Sequence, residues 1–220
     1  HRYYAPASMR AINFLKPVLG LEFTATPKST NNVIYAYDLA RGAVEGYLKT
    51  PVVMGRSNMA GYSSEDIEEM KIRDGLTLHE HRKGVIRQFC GDNALPYVKP
   101  IVLIACRDTN HAKEVRALID SDSFLGGKYK GKVIEIHSNM KGDESEENIR
   151  LLLSIENAQN PVEIVLHVYK LKEGWDVNNL FTIIPLNAAK SDILAMQTIG
   201  RGLRLPFGRA TGNEDIDTLD

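Results

Sequence analysis

The stretch Gln197-Thr198-Ile199-Gly200-Arg201-Gly202-Leu203-Arg204-Leu205-Pro206 sets two arginines three residues apart beside a glutamine and two glycines. Residues three and four apart are neighbours on a helix surface, so a helix over 191–201 would release Arg201 and Arg204 from its C-terminal end on adjoining faces. Guanidinium forks match phosphate oxygens and stay charged at any working pH, which makes the pair an oxyanion-binding arrangement. A helix end whose macrodipole simply favours cations would look the same in isolation.

The elements that must position these arginines are legible from Lys99 onward. Ile101-Val102-Leu103-Ile104-Ala105 is a short apolar run, Asp108 a cap, and Ala112, Val115, Leu118 and Ile119 the stripe of a helix. Gly126-Gly127 breaks the chain, 133–136 reads as a strand, and Ile149, Leu152 and Leu153 mark the next helix, which Asn160-Pro161 ends. Strands over 162–168 and 181–186 and a helix over 191–200 follow. β-Branched runs alternating with amphipathic helices predict an α/β fold with a parallel sheet covered on both faces. Right-handed crossovers then bring the loops that follow the strands to one sheet edge, where such sheets bind ligands.

The first part is less regular and mostly helical. A helix over 9–16, a strand over 20–24 stopped by Pro27, a helix over 35–48 and a strand-like 51–54 are expected. Leu39, Gly42, Ala43 and Gly46 would let the second helix pack closely. Ser63 or Ser64 caps a charged segment over 65–89 that holds one long helix or two short ones. The best division between domains falls near 96–100.

Composition narrows the function classes. A hydrophobic content of 43% in 220 residues is ample for one generous core. The net charge of -1 and a pI near 6.7 give no basic field, so any nucleic-acid contact has to be a local groove. Cys90 and Cys106 stand far apart without CxxC spacing, which argues against zinc and fits a reducing compartment. No signal pattern or bilayer-length apolar run occurs, so no membrane partner and a cytoplasmic location are expected. His79 and His81 diverge on a helix, and His137 and His167 sit at strand positions as packed or hydrogen-bonded residues; no metal site within the chain is expected.

Three segments in fixed order resemble superfamily 2 helicases and translocases, in particular the motor (Res) subunit of type III restriction enzymes. Phe23-Thr24-Ala25-Thr26-Pro27 is similar to that family's motif III, Leu171-Lys172-Glu173-Gly174-Trp175-Asp176 to motif V, and residues 197–204 to motif VI. The resemblance implies the end of a first RecA-like lobe over 1–28, a helical or mixed connecting segment over 29–97, and a second RecA-like lobe over 98–220. Neither a GxxxxGK[ST] loop nor a DExH box is present, although His1-Arg2-Tyr3-Tyr4 resembles the continuation of one. ATP and Mg2+ would therefore be held largely by a lobe outside this chain, and the chain alone is expected to hydrolyse no ATP.

The same resemblance implies the site roles. Arg204 would be the arginine finger, Arg201 would hold phosphate oxygens, and Gln197 and Gly200 would position the loop near the triphosphate and the attacking water. Gly174 and Asp176 would contact nucleotide, with Asp176 accepting from a ribose hydroxyl. Thr24, Ala25 and Thr26 would couple hydrolysis to lobe movement. The wider family's phosphate-contacting threonine is replaced here by Val168, which has no side-chain donor. Remaining candidates for DNA contact are Arg107, Ser138, Asn139, Lys170 and Lys172, each of which reads equally well as a solvated loop residue. Trp175 is expected to brace the motif V loop rather than stack on a base. Expected partners are DNA, the upstream RecA-like lobe and a modification (methyltransferase) subunit, with any nuclease activity in another domain. The alternative is a non-catalytic RecA-like module that binds DNA or a protein.

Overall fold

In the computed structural model the described residues are 5–24, 27, 32–57, 59–137, 143–168, 175–186 and 198–220. Their contacts divide the chain into two compact units, His1–Ala36 and Tyr37–Asp220. In the first, α1 (Pro6–Phe14) starts on a proline, whose missing N–H is no loss at a helix start, and it buries none of its residues. The strand expected over 20–24 does not form. No strand is described anywhere in this unit, and an extended segment without a partner has nowhere to place its ladder hydrogen bonds.

The second unit opens with α2 (Leu39–Val44), capped by the Asp38 carboxylate, which accepts from the Arg41 N–H at 2.7 Å. It is shorter than the 35–48 expected. Gly46, at φ +75°, turns the chain out of the helix, as a residue without Cβ can. Then come β1 (Thr50–Pro51), the 29-residue α3 (Ser64–Asp92), β2 (Ile101–Cys106), α4 (Thr109–Ile119), β3 (Val133–Ile136), α5 (Asp143–Leu153), β4 (Ile164–Val168), β5 (Leu180–Pro185) and β6 (Thr218–Leu219).

β2 to β5 form a parallel sheet in the order β3-β4-β2-β5, while β1 and β6 pair in parallel. Asp220 joins the two sheets, since its N–H donates to the Phe181 carbonyl at 2.9 Å and its carbonyl accepts from the Ile183 N–H at 2.7 Å. Strand alternation sorts the core into two layers. Val102, Ile104, Ile164, Leu166 and Val168 meet Ile72 and Leu76 of α3 and Ala112, Val115 and Ile119 of α4. Ile101, Leu103, Ile134 and Val165 meet Leu152 of α5 together with Trp175 and Val177. The parallel α/β fold read from the sequence is therefore present. The α5 stripe is narrower than expected, because Leu153, about 100° round the helix from buried Leu152, is 75% exposed.

α3 is one of the sheet's covers, with Ile72 and Leu76 in the same core layer as β2 and β4. Gly75 lies so close to β5 that a Cβ there would stand 2.4 Å from Ile184 Cδ1. Polar groups fasten α3 as well. Arg82 makes a two-pronged bond to the buried Asp220 carboxylate at 2.7 and 2.8 Å and also reaches Asp215. Glu163, just before β4, faces His79 at 3.2 Å and accepts from Lys83 and Lys132 at 2.7 Å each.

The α3 start carries a full capping box. The Ser63 hydroxyl accepts from the Asp66 N–H at 3.1 Å, and the Asp66 carboxylate accepts from the Ser63 N–H at 3.2 Å. Ser63→Ala is expected to destabilise the protein by about 1 kcal/mol, read as a lower urea midpoint at unchanged slope. Among the described residues no helix is long and apolar enough to cross a membrane.

Candidate functional site

Residues 198–202 are helical, and the chain leaves that helix through Leu203 into Arg204. Gly202 makes this possible. A Cβ there would stand 2.6 and 2.7 Å from the Leu219 methyls and 3.3 Å from Ile183 Cδ1, so any larger residue would have to displace the Leu219 side chain for the helix end to lie on β5 and β6. At Gly200, by contrast, no neighbouring atom among the described residues stands within 4 Å of where a Cβ would lie.

From this support the two arginines reach one short segment, Trp175-Asp176. Arg204 Nε pairs with Asp176 Oδ1 at 2.7 Å, and Arg201 Nη1 donates to the Trp175 carbonyl. Trp175 is itself 5% exposed and packs with Leu152, Val165 and Val177, so it braces the segment as expected. The Asp176 and Arg204 side chains remain 64% and 43% exposed, open to a ligand. Arg201 is half-buried. Its burial, and then the Arg204 charge beside it, push its guanidinium below the ordinary value, with Asp176 opposing. A cation so placed gains from any anion that arrives.

His167, on the β4 face shared with Val165, lies within the field of Arg201. Burial, then that charge, push its imidazole down to about 4, so it is neutral at working pH. Among the described residues, neither of its ring nitrogens, nor Trp175 Nε1, has a hydrogen-bond partner.

The other expected site residues fall out unevenly. Gln197, Gly174, Ala25, Thr26, Ser138, Asn139, Lys170 and Lys172 lie outside the described residues. Thr24 is exposed in the first unit. Arg107 is not a free cation. Its guanidinium pairs with Glu68 of α3, and the same carboxylate group faces His111 Nε2 at 3.0 Å. Val168 is 3% exposed and points into the α3–α4 layer, so it cannot touch a phosphate.

One trio, His79, Glu80 and Glu163, brings ligand atoms within 4.8 Å of one another. Lysines already serve its carboxylates. Lys83 and Lys132 bind Glu163, while Lys83 and Lys128 bind Glu80 at 3.1 and 2.6 Å. Ammonium groups therefore stand where a metal would. His81, on the far side of α3, is exposed, so the two histidines diverge as expected.

Sequence reasoning passed over Gly202 and Lys49. Gly202 could have been suspected from its place between the arginines. Lys49 gave no signal, because a lysine before Thr-Pro reads as surface.

No family model matches the chain. It is 38% identical over 107 residues, 46% of its length, to the type III restriction-modification enzyme EcoPI Res subunit of Escherichia phage P1. It is also 38% identical over 73 residues, 30% of its length, to the EcoP15I Res subunit of Escherichia coli. The matched stretches make up 10% and 7% of those two proteins, so the chain spans about a tenth of the relatives it matches.

Proposed function

We propose that this chain, which is related in sequence to the Res subunits of type III restriction-modification enzymes, is part of an ATP-driven DNA helicase or translocase motor. Residues 98–220, with α3 as part of their cover, would be its second RecA-like lobe. The observation that carries this reading is the meeting of Arg201 and Arg204 with Trp175 and Asp176. Two segments far apart in sequence, each independently similar to a nucleotide-contacting motif, converge on one point.

In the proposed mechanism a neighbouring lobe holds ATP, and Arg204 supplies the cation that meets charge developing on the γ-phosphate oxygens. Arg201, already anchored on the Trp175 carbonyl, holds phosphate oxygens beside it. Gln197 and Gly200 line the approach, and Gly174 and Asp176 face the ribose. Asp176 has to divide its carboxylate between Arg204 and a ribose hydroxyl, which two oxygens allow. Thr24, Ala25 and Thr26 would transmit closure between lobes. Mg2+ would be held with ATP by the neighbouring lobe, since the close His79, Glu80 and Glu163 trio of this chain already has its carboxylates bound by lysines. Phosphate-backbone contacts through Ser138, Asn139, Lys170 and Lys172, with Arg107 only by exchanging its Glu68 partner for a phosphate, would make DNA binding salt-dependent and sequence-independent. The upstream lobe and a modification subunit complete the proposed partners, in the cytoplasm.

The deciding experiment measures ATP hydrolysis by the intact protein that contains this chain, with and without duplex DNA, beside the 220-residue chain alone. Turnover stimulated by DNA in the intact protein, and none in the isolated chain, is the expected pattern. DNA binding without any turnover in the intact protein would instead favour a non-catalytic RecA-like module.

A further inference from the structure

Lys49 is fully buried, a rare position for lysine. Its Nζ donates to the Leu180 carbonyl at 2.6 Å and lies 3.8 Å from the centre of the Phe181 ring. Its backbone N–H donates to the Leu203 carbonyl at 2.7 Å, part of the peptide that leads into Arg204. The following residues are stitched to the chain end, Thr50 N–H to the Asp217 carbonyl and Val52 N–H to the Leu219 carbonyl, each at 2.8 Å. Residues 202–203 are thus held at two points, Gly202 against Leu219 and Ile183 and the Leu203 carbonyl by the Lys49 N–H.

The geometry points to Lys49 as a positioning residue for Arg204: its side chain, pinned on the start of β5, fixes the residue-49 amide, and that amide fixes the peptide from which Arg204 springs. This rests on the reading of Arg204 as the cation that reaches the γ-phosphate. A lysine that only filled the core would behave differently, since replacing a buried charge by an apolar group of similar volume is often neutral or stabilising. A finger displaced by about 1 Å can cost about a hundredfold in rate while the fold survives.

The charged groups facing Lys49 are Arg82 from α3 and Asp217 and Asp220 from the chain end. Burial, then the Arg82 charge, push the ammonium down to about 7 against the pull of the two carboxylates. The protonated form makes the charge-assisted bond to Leu180 and the cation–π contact with Phe181. Its hold is therefore firmest below pH 7 and relaxes above it.

The test uses the intact protein and two variants, Lys49→Met, which keeps the volume, and Lys49→Gln, which keeps an uncharged donor. Lys49→Met is expected to keep or raise Tm yet lower kcat by about ten- to a hundredfold, with KM for ATP nearly unchanged. It should also lose the decline in kcat above pH 7. Lys49→Gln should recover part of kcat with a flat profile around pH 7. Wild-type kcat and profile in both variants would overturn the positioning role while leaving the motor reading intact. Amide exchange at residue 49 needs no turnover and probes the pin directly. Faster exchange in Lys49→Met supports the pin, and unchanged protection overturns it, whatever the ATPase does.

Discussion

Arg204→Ala in the intact protein is expected to lower ATP turnover by about three to five orders of magnitude, the range typical of an arginine finger. That is about 4–7 kcal/mol of lost transition-state stabilisation. The fold should hardly notice, because the ion pair lost among the described residues is the half-exposed one with Asp176, and exposed pairs contribute about 0–1 kcal/mol. The large gap between these two magnitudes is what makes the variant informative. Arg204→Lys should not rescue, since an ammonium point charge lacks the planar fork that spans two oxygens. KM for ATP should move far less than kcat, because the contact strengthens only as charge develops on the phosphate. Steady-state kinetics with a thermal melt alongside decide the matter. A turnover within about tenfold of wild type would remove Arg204 from the mechanism.

Much of this arrangement could be read in the sequence, for reasons visible in particular residues. β2, β4 and β5 are buried on both faces, so each is an almost unbroken apolar run that stands out from its surroundings. The Asp108 cap was equally plain, as its carboxylate accepts from the His111 N–H at 2.9 Å. The place of α3 on the sheet was hidden. Its buried positions are Ile72, Leu76, His79, Arg82, Ile86 and Cys90, and a histidine and an arginine in mid-stripe make a core helix look like a charged surface one. Both meet acids far along the chain, His79 Nε2 facing Glu163 and Arg82 pairing with Asp215 and Asp220. No local pattern predicts such partners. The same limit applies to the arginine site. Motif order suggested that Asp176 and Arg204 serve one ligand, but their direct pairing depends on where the helix ends. Gly202 sets that point by packing on Leu219, and only the tertiary structure reveals the contact.

Removing Glu163 should produce the opposite signature, a large loss of stability with chemistry intact. Its side chain is 9% exposed and meets His79, Lys83 and Lys132. Taking away one partner of a buried charge cluster leaves the others uncompensated, which typically costs about 3–5 kcal/mol, so Glu163→Ala is expected to fall in that range. Two ammonium groups would then face each other across the vacated space, and α3 would lose its main polar tie to the start of β4. Glu163→Gln with Lys83→Met should recover part of the loss, since it removes charge from both sides. Acid gives a second handle on the same group. Burial alone would raise the Glu163 carboxyl, but the bonds from His79, Lys132 and Lys83 hold it well below its ordinary value of 4.5. A carboxyl depressed in the folded state contributes fully above the unfolded value and loses that contribution as pH falls through the folded one. Wild-type stability should therefore drop as the solution is acidified below about 4.5, while Glu163→Gln starts lower and declines less over the same interval. Urea unfolding of both proteins at neutral and acidic pH measures the difference, and parallel acid limbs would contradict it. None of the bonds at Arg201 and Arg204 involves Glu163, so kcat per folded molecule should stay at the wild-type value.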